Sequence, residues 1–285
     1  MFQVGIVTDS VTGLPEDLIK EYHIRTVSMG FVWNNRVYRD YQDITMEEFW
    51  KVWPTFRETP TTSACSPGDF LKTFQDLSRE TNQIVCITIS NVLSATHKAA
   101  CQAAQMIKEE KPGLEVTVID SQTSACGLGW IVLEAARAAR AGKSQLEVIE
   151  TVRNMMGRSK YILALESLKY VMKIGRAPDG TPQQAPPKIS PIMGIVKANT
   201  GVMENLDRAA NIDEALAKLI DIVKNHVDTS KPVHFLLTYP DRREKCEQIQ
   251  KNLSDKYQCE EILIGQWTPS AMVATGPMYG LGFYV

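Results

Sequence analysis

Ile84-Val85-Cys86-Ile87-Thr88-Ile89-Ser90-Asn91-Val92-Leu93-Ser94-Ala95-Thr96-His97 reads as a strand, a polar turn and a helix start. The first six residues are an apolar, β-rich run, and Lys98 to Lys108 continues as an Ala-rich helical pattern. The same order recurs in Val116-Thr117-Val118-Ile119-Asp120-Ser121-Gln122-Thr123-Ser124, which leads into a helix over Gly127 to Ala141. At the amino terminus, Val4-Gly5-Ile6-Val7 runs into Thr8-Asp9-Ser10-Val11-Thr12. Strands alternating with helices predict a Rossmann-like α/β/α layer around a parallel sheet. In such a sheet the carboxyl ends of neighbouring strands share one edge, so these Ser/Thr turns should meet at one crevice.

A further hydroxyl-rich stretch is Pro60-Thr61-Thr62-Ser63-Ala64-Cys65-Ser66-Pro67-Gly68-Asp69. Ser66, Pro67 and Asp69 read as the N-cap, first turn and N3 carboxylate of a helix over Phe70 to Glu80. Thr61, Thr62 and Ser63 set three short donors before it. A hydroxyl loop running into a helix N-terminus suits an oxyanion, a carboxylate or a phosphate. The same residues also fit ordinary caps and turns.

The rest of the first half, residues 1–157, fits one α/β unit. Leu14, Leu18, Ile19 and Tyr22 space a first helix; Arg25 to Trp33, the turn Asn34-Asn35 and Val37 to Arg39 read as a hairpin. Thr45 caps a short helix carrying Met46, Phe49, Trp50 and Trp53, with Pro54 ending it; these aromatics read as core. Residues 158–285 follow a different pattern. Ser159 to Leu168, Lys188 to Ala198, Val202 to Arg208, Val233 to Tyr239, Glu260 to Trp267 and Gly282 to Val285 read as strands. Helices over Ile212 to Val227 and Asp241 to Tyr257 should cover one face of a mainly antiparallel α+β layer. Asn199-Thr200-Gly201 reads as a hairpin turn, and Ala177 to Pro187, with four prolines, as an exposed excursion.

At 285 residues the chain is long enough for two such units, each with its own core. A formal net charge of −2 gives no electrostatic case for nucleic acid. Met1-Phe2-Gln3 leads straight into a strand, with no signal peptide pattern, and no apolar run approaches the roughly 18 residues that span a bilayer. The six cysteines show neither Cys-x-x-Cys pairs nor metal-type spacing with the four histidines, so they read as reduced thiols of a cytoplasmic protein. Gly127-Leu128-Gly129 fails as a dinucleotide fingerprint because Val132 holds the third glycine position, and no Walker-type Gly-Lys-Ser/Thr stretch exists. No cofactor or metal site is expected.

The order of these motifs resembles the DegV family of lipid-binding proteins. The resemblance rests on Thr8-Asp9-Ser10 with Leu14-Pro15, Pro60-Thr61-Thr62-Ser63 with Ser66, Ser90 with Leu93-Ser94-Ala95-Thr96, and Ile119-Asp120-Ser121 with Gly127-Leu128-Gly129. In the second half, Leu168-Lys169 with Gly175-Arg176 and Thr275-Gly276-Pro277 with Gly280-Leu281-Gly282-Phe283 complete it. The chain departs from the family pattern at four places. It has Ala95 where Gly is common, Cys65 where Pro is common, Ser190 where Lys is usual, and Ala274 and Met278 where the terminal motif has His and Gly.

The resemblance implies a fatty-acid-binding protein, and in some members the acyl-carrying subunit of a bacterial fatty acid kinase, with a separate subunit supplying ATP and magnesium. It assigns Thr62 and Ser94 to the ligand carboxylate, with Thr61, Ser63, Ala95, Thr96, Ala274, Thr275 and Gly276 around the head group. The tail would lie between the two halves; at about 0.8 kcal/mol per methylene, roughly 16 carbons supply about 12 kcal/mol before binding costs. Arg176 would contact a phosphoryl group once an acyl phosphate forms, or else be a solvated loop arginine. The family's His near the head group is replaced by Ala274, which leaves open whether a kinase uses this protein. No transmembrane segment is expected, only transient membrane contact. The alternative is an enzyme acting on a bound acyl or small anionic ligand through Ser94 or Cys65, with His97 the nearest base in sequence.

Overall fold

The computed structural model describes residues 3–58, 60–176, 192–196 and 201–285. Its elements in the first half are β1 (Gly5–Asp9), α1 (Glu16–Glu21), β2 (Arg25–Val27), β3 (Gly30–Trp33), β4 (Arg36–Arg39), α2 (Met46–Val52), β5 (Thr61–Ser63) and α3 (Pro67–Leu77). Next come β6 (Gln83–Thr88), α4 (Thr96–Glu110), β7 (Glu115–Asp120), α5 (Ala125–Arg140) and α6 (Gln145–Arg158). The second half adds β8 (Lys160–Leu165), α7 (Lys169–Lys173), β9 (Ile192–Val196), β10 (Met203–Arg208) and α8 (Ile212–Ile222). It closes with β11 (Val233–Tyr239), α9 (Arg243–Lys256), β12 (Cys259–Gln266), α10 (Pro269–Thr275) and β13 (Met278–Tyr284).

The stretch beginning at Ile84 sits in a parallel sheet of order β2-β1-β6-β7, and five of the six residues of β6 are buried. Its apolar run is explained by neighbours on both edges, β1 and β7, each pairing in parallel. The second sheet has order β10-β9-β8-β13-β11-β12, antiparallel except where β11 meets β12. The fold is therefore α/β with a parallel sheet plus a mainly antiparallel one, as the periodicities predict.

Alternation along β8 decides how the layers join. Tyr161, Leu163 and Leu165 belong to the core shared with the parallel sheet, while Ile162 and Ala164 belong to a second core under α8 and α9. Successive side chains of a strand point to opposite faces, so one strand walls two cores. In the first core Phe49 is fully buried against Phe31 and Trp53, ring centroids 5.6 and 5.2 Å away, so these aromatics pack as the sequence predicts.

Three readings are corrected. Arg25 to Trp33 is not one hairpin arm: Arg25–Val27 joins β1 in the parallel sheet, and only Gly30–Trp33 pairs with β4. Thr61–Ser63 is not a free loop but a short strand on the other edge of β3, which gives its β-branched residues a ladder to occupy. The last strand starts at Met278, and the helices α6, α7 and α10 were not distinguished in the pattern. The second-half helices α8 and α9 begin at or within two residues of their predicted starts, and β11 matches residue for residue. Ala177 to Pro187, Ser190, the ends of Lys188 to Ala198, and Asn199-Thr200 lie outside the described residues.

Candidate functional site

The turns after β1, β6 and β7 do meet at one edge, and they are stitched together. Ser90 N donates to Thr123 O at 2.9 Å, Ser121 N to Thr88 O at 3.1 Å, and Ile89 N to the Asp9 carboxylate at 2.6 Å. Above this edge lies a partly open cavity. The parallel-sheet edge supplies Val11, Ile89, Leu93 and Ser124 to its wall, and the second sheet supplies Tyr161, Leu163 and Leu165 from β8. Thr62 of β5 and the segment from Val171 to Arg176 complete one side, with α10 forming another. The lining is mainly apolar with a few polar groups, the usual make-up of a small-molecule site.

Several hydroxyls of the Ser/Thr turns hold the turns, whereas Thr8 Oγ1 and Ser90 Oγ are buried with no hydrogen-bond partner among the described residues. Thr12 Oγ1 accepts from Leu14 N, Ser121 Oγ donates to Thr123 O, and Ser66 and Asp69 form a reciprocal capping box at α3. Ser94 is buried and lies 2.9 Å, hydroxyl to hydroxyl, from Thr96 Oγ1. Of the residues assigned from sequence, Thr62, Arg176, Ala274 and Thr275 line the cavity. Thr61, Ser63, Ser94, Ala95, Thr96 and Gly276 are adjacent in sequence to lining residues or a few steps from them, without being part of the wall.

The second-half residues come from α10 and the turn after it. Thr268 caps this helix by accepting from Ala271 N. At its other end Thr275 Oγ1 receives Trp267 Nε1 at 3.3 Å and donates back to Ala271 O at 3.0 Å. Gly276 then reverses the chain at φ +69°, where a Cβ would strike the Tyr170 ring at 2.2 Å, so this position requires glycine. Burial lowers the pKa of the Arg176 guanidinium from its ordinary value.

Sequence reasoning missed Ser270 and Tyr161 as lining residues, and with them the carboxylate behind the wall, whereas Ser124 belongs to a turn expected at the crevice. Asp40, wholly buried, accepts from Ser10 Oγ at 2.8 Å and from both Ser270 N and Ser270 Oγ. Its burial, and that of Asp9, raises both carboxyls to about 6, despite hydrogen bonds that favour the charged forms. No periodicity marks Asp40, since it comes after a largely exposed strand.

The nucleophile reading gains no geometry. Cys65 is buried, donates to Val27 O at 3.4 Å, and has its thiol pushed well up by burial. His97 Nδ1 meets Thr88 Oγ1 at 3.1 Å and its Nε2 meets Cys101 Sγ at 3.5 Å, so its ring nitrogens are directed elsewhere than Ser94. Among the described residues no cluster of three or more His, Cys, Asp or Glu could hold a metal ion.

The family model described as uncharacterised protein, DegV family, matches residues 3–285. A DegV domain-containing protein of Caldanaerobacter subterraneus is 30% identical over 268 residues, covering 93% of this chain and 92% of that one. Among solved structures, a DegV family protein from Thermus thermophilus described for fatty acid binding superposes with TM-score 0.86 at 25% identity, covering 99% of each chain. A protein of Eubacterium ventriosum described as binding stearic acid shares the fold at TM-score 0.88 and 19% identity, covering 100% of this chain and 98% of that one.

Proposed function

This chain belongs to the DegV family, and from that premise we propose that it binds a long-chain fatty acid in the cavity between its parallel sheet and its mainly antiparallel sheet, as a carrier and not as an enzyme. The observation that carries the reading is the polarity of the wall. Thr62 and Arg176 stand where β5 and the end of the α7 segment meet α10, and aliphatic side chains such as Val11, Leu163 and Met203 line the same cavity. A carboxylate needs donors and its tail needs a dry wall, and one cavity offers both.

In this reading Thr62 holds the carboxylate, with Ser94 behind Leu93 and Thr61, Ser63, Ala95, Thr96, Ala274 and Gly276 shaping the head-group end. The ligand is held between units 1–157 and 158–285. The protein acts in the cytoplasm and presents its ligand to a separate fatty acid kinase subunit, with Arg176 facing the phosphoryl group. No helix among the described residues is long and apolar enough to cross a membrane.

Native mass spectrometry of the purified protein, followed by solvent extraction, tests the reading. A one-to-one species that extracts as a long-chain fatty acid is expected, with retention about tenfold weaker in Thr62→Val at unchanged thermal stability. A protein that carries a polar metabolite, or that stays empty when offered fatty acid, overturns it.

A further inference from the structure

Tyr161 lines the cavity at β8, yet its hydroxyl is buried and has no hydrogen-bond partner among the described residues. The residue is 1% exposed. A buried phenol without a partner costs about 1–3 kcal/mol relative to a paired one, and phenylalanine would fill the same volume without that cost. The surroundings are shaped for the ring. A Cβ on Gly280 would lie 3.1 Å from Tyr161 Cε2, and one on Gly127 would lie 3.0 Å from Tyr161 Cβ. Two polar side chains nearby, Cys126 and Thr238, are taken up with each other at 3.3 Å.

Tyr161 also stands away from the proposed head-group end. Leu165 pairs with Met278, three residues after Thr275, whereas Tyr161 pairs with Gly282 further along β13. Four residues of strand separate the two positions by about 13 Å. Ser124 also lines the cavity, as the N-cap of α5, and makes no capping hydrogen bond.

We infer that the distal half of the cavity accepts an acyl chain bearing an oxygen function, a hydroxyl or oxo group, which takes its hydrogen bond from Tyr161 Oη. This inference rests on the fatty acid reading and narrows its ligand class. Burial pushes the Tyr161 phenol well above its ordinary pKa, which keeps the hydroxyl a donor at every working pH. Ser124 is the second group within the same wall that can serve the ligand oxygen. A plain saturated chain would leave both polar groups against methylenes.

The test is a binding series with stearic acid and hydroxystearic acids whose hydroxyl moves stepwise from mid-chain toward the end. Wild-type protein is expected to prefer one position over its neighbours by about tenfold, because a mismatched hydroxyl is buried unpaired. In Tyr161→Phe the positional preference should collapse to within about twofold. Stearic acid binding with no preferred isomer, or a preference that survives in Tyr161→Phe, overturns the inference and leaves the fatty acid reading standing. Failure to bind any acid of the series overturns both.

Discussion

The Asp40 carboxylate accepts both hydrogen bonds that Ser270 can donate, from the backbone N–H at 2.8 Å and from the hydroxyl at 2.6 Å. Asp40 comes directly after β4 and Ser270 lies in the first turn of α10, so the two residues fasten the small three-stranded sheet to the helix that carries Ala274 and Thr275. Ser10 joins the same carboxylate from the end of β1. One buried group thus fixes three segments around the cavity.

Asp40→Ala strands an N–H and two hydroxyls in a dry site and should cost about 3 kcal/mol, read as a lower urea midpoint, with faster loss of bound ligand. Asp40→Asn keeps an acceptor for Ser270 N and lets the hydroxyls reorient, so it should cost no more than about 1 kcal/mol. Equal losses in the two variants would mean that the hydrogen bonds to α10 are not the source of the effect.

Stability should fall as the pH rises through the acid range. Burial raises Asp9 and Asp40 from 3.8 to about 6 in the folded state, so between those values the folded protein holds protons that the unfolded chain has released. Their contribution is complete below about pH 4 and gone above about pH 6, on the order of 3 kcal/mol per group. Urea unfolding across that window measures it, and Asp40→Asn should remove its share. A flat profile in both proteins would contradict these environments.

Arg137 of α5 grips Glu261 of β12 with two hydrogen bonds of 2.7 and 2.8 Å and also meets Glu134 at 2.7 Å. Burial would raise the Glu261 carboxyl, but Arg137 and His234 outweigh it and hold the group at about 2. Arg137→Met should therefore lower stability by about 2 kcal/mol near neutral pH. The wild-type advantage is present above about pH 4.5 and disappears as the pH falls through about 2. A variant as stable as wild type at neutral pH would show that the ion pair contributes nothing net.

Native alkylation should track exposure. Cys101 is exposed and Cys259 partly so, while Cys65, Cys86, Cys126 and Cys246 are buried with thiols raised by burial. Iodoacetamide is expected to label Cys101 first and to leave the four buried thiols intact until denaturant is added, a rate difference of at least about a hundredfold. Prompt labelling of Cys65 would revive it as a nucleophile.

Ala274→His places an imidazole on the cavity wall. Offered a fatty acid kinase subunit, ATP and magnesium, the variant should form acyl phosphate about tenfold faster than wild type. No gain, with fold and lipid retention intact, would show that position 274 does not limit phosphoryl acceptance.

The parallel half was legible because its signals are local: an apolar run, a polar turn and a 3.6-residue period repeat in order, as from Ile84 to Lys108. The meeting of the turns came from sheet geometry alone. What each hydroxyl does was not legible, because Ser94 and Thr96 face each other and Ser66 faces Asp69, pairings that depend on turn geometry more than residue type. Nor could the pattern show that Arg25 to Trp33 divides between two sheets, since both parts have the same β character. Tyr161 was hidden for a third reason: inside a strand it reads as core, and its unpaired oxygen is a property of its neighbours.

The alternation along β8 separates two kinds of inheritance in six residues. Substitutions at 161, 163 and 165 reshape what the cavity admits, while those at 162 and 164 are felt under α8 and α9. Drift in ligand preference can therefore proceed at every second position of this strand without disturbing the helical layer. A shift of register by one residue would exchange the two roles at once, so the pairing of β8 with β9 on one edge and β13 on the other holds both layers to a single choice.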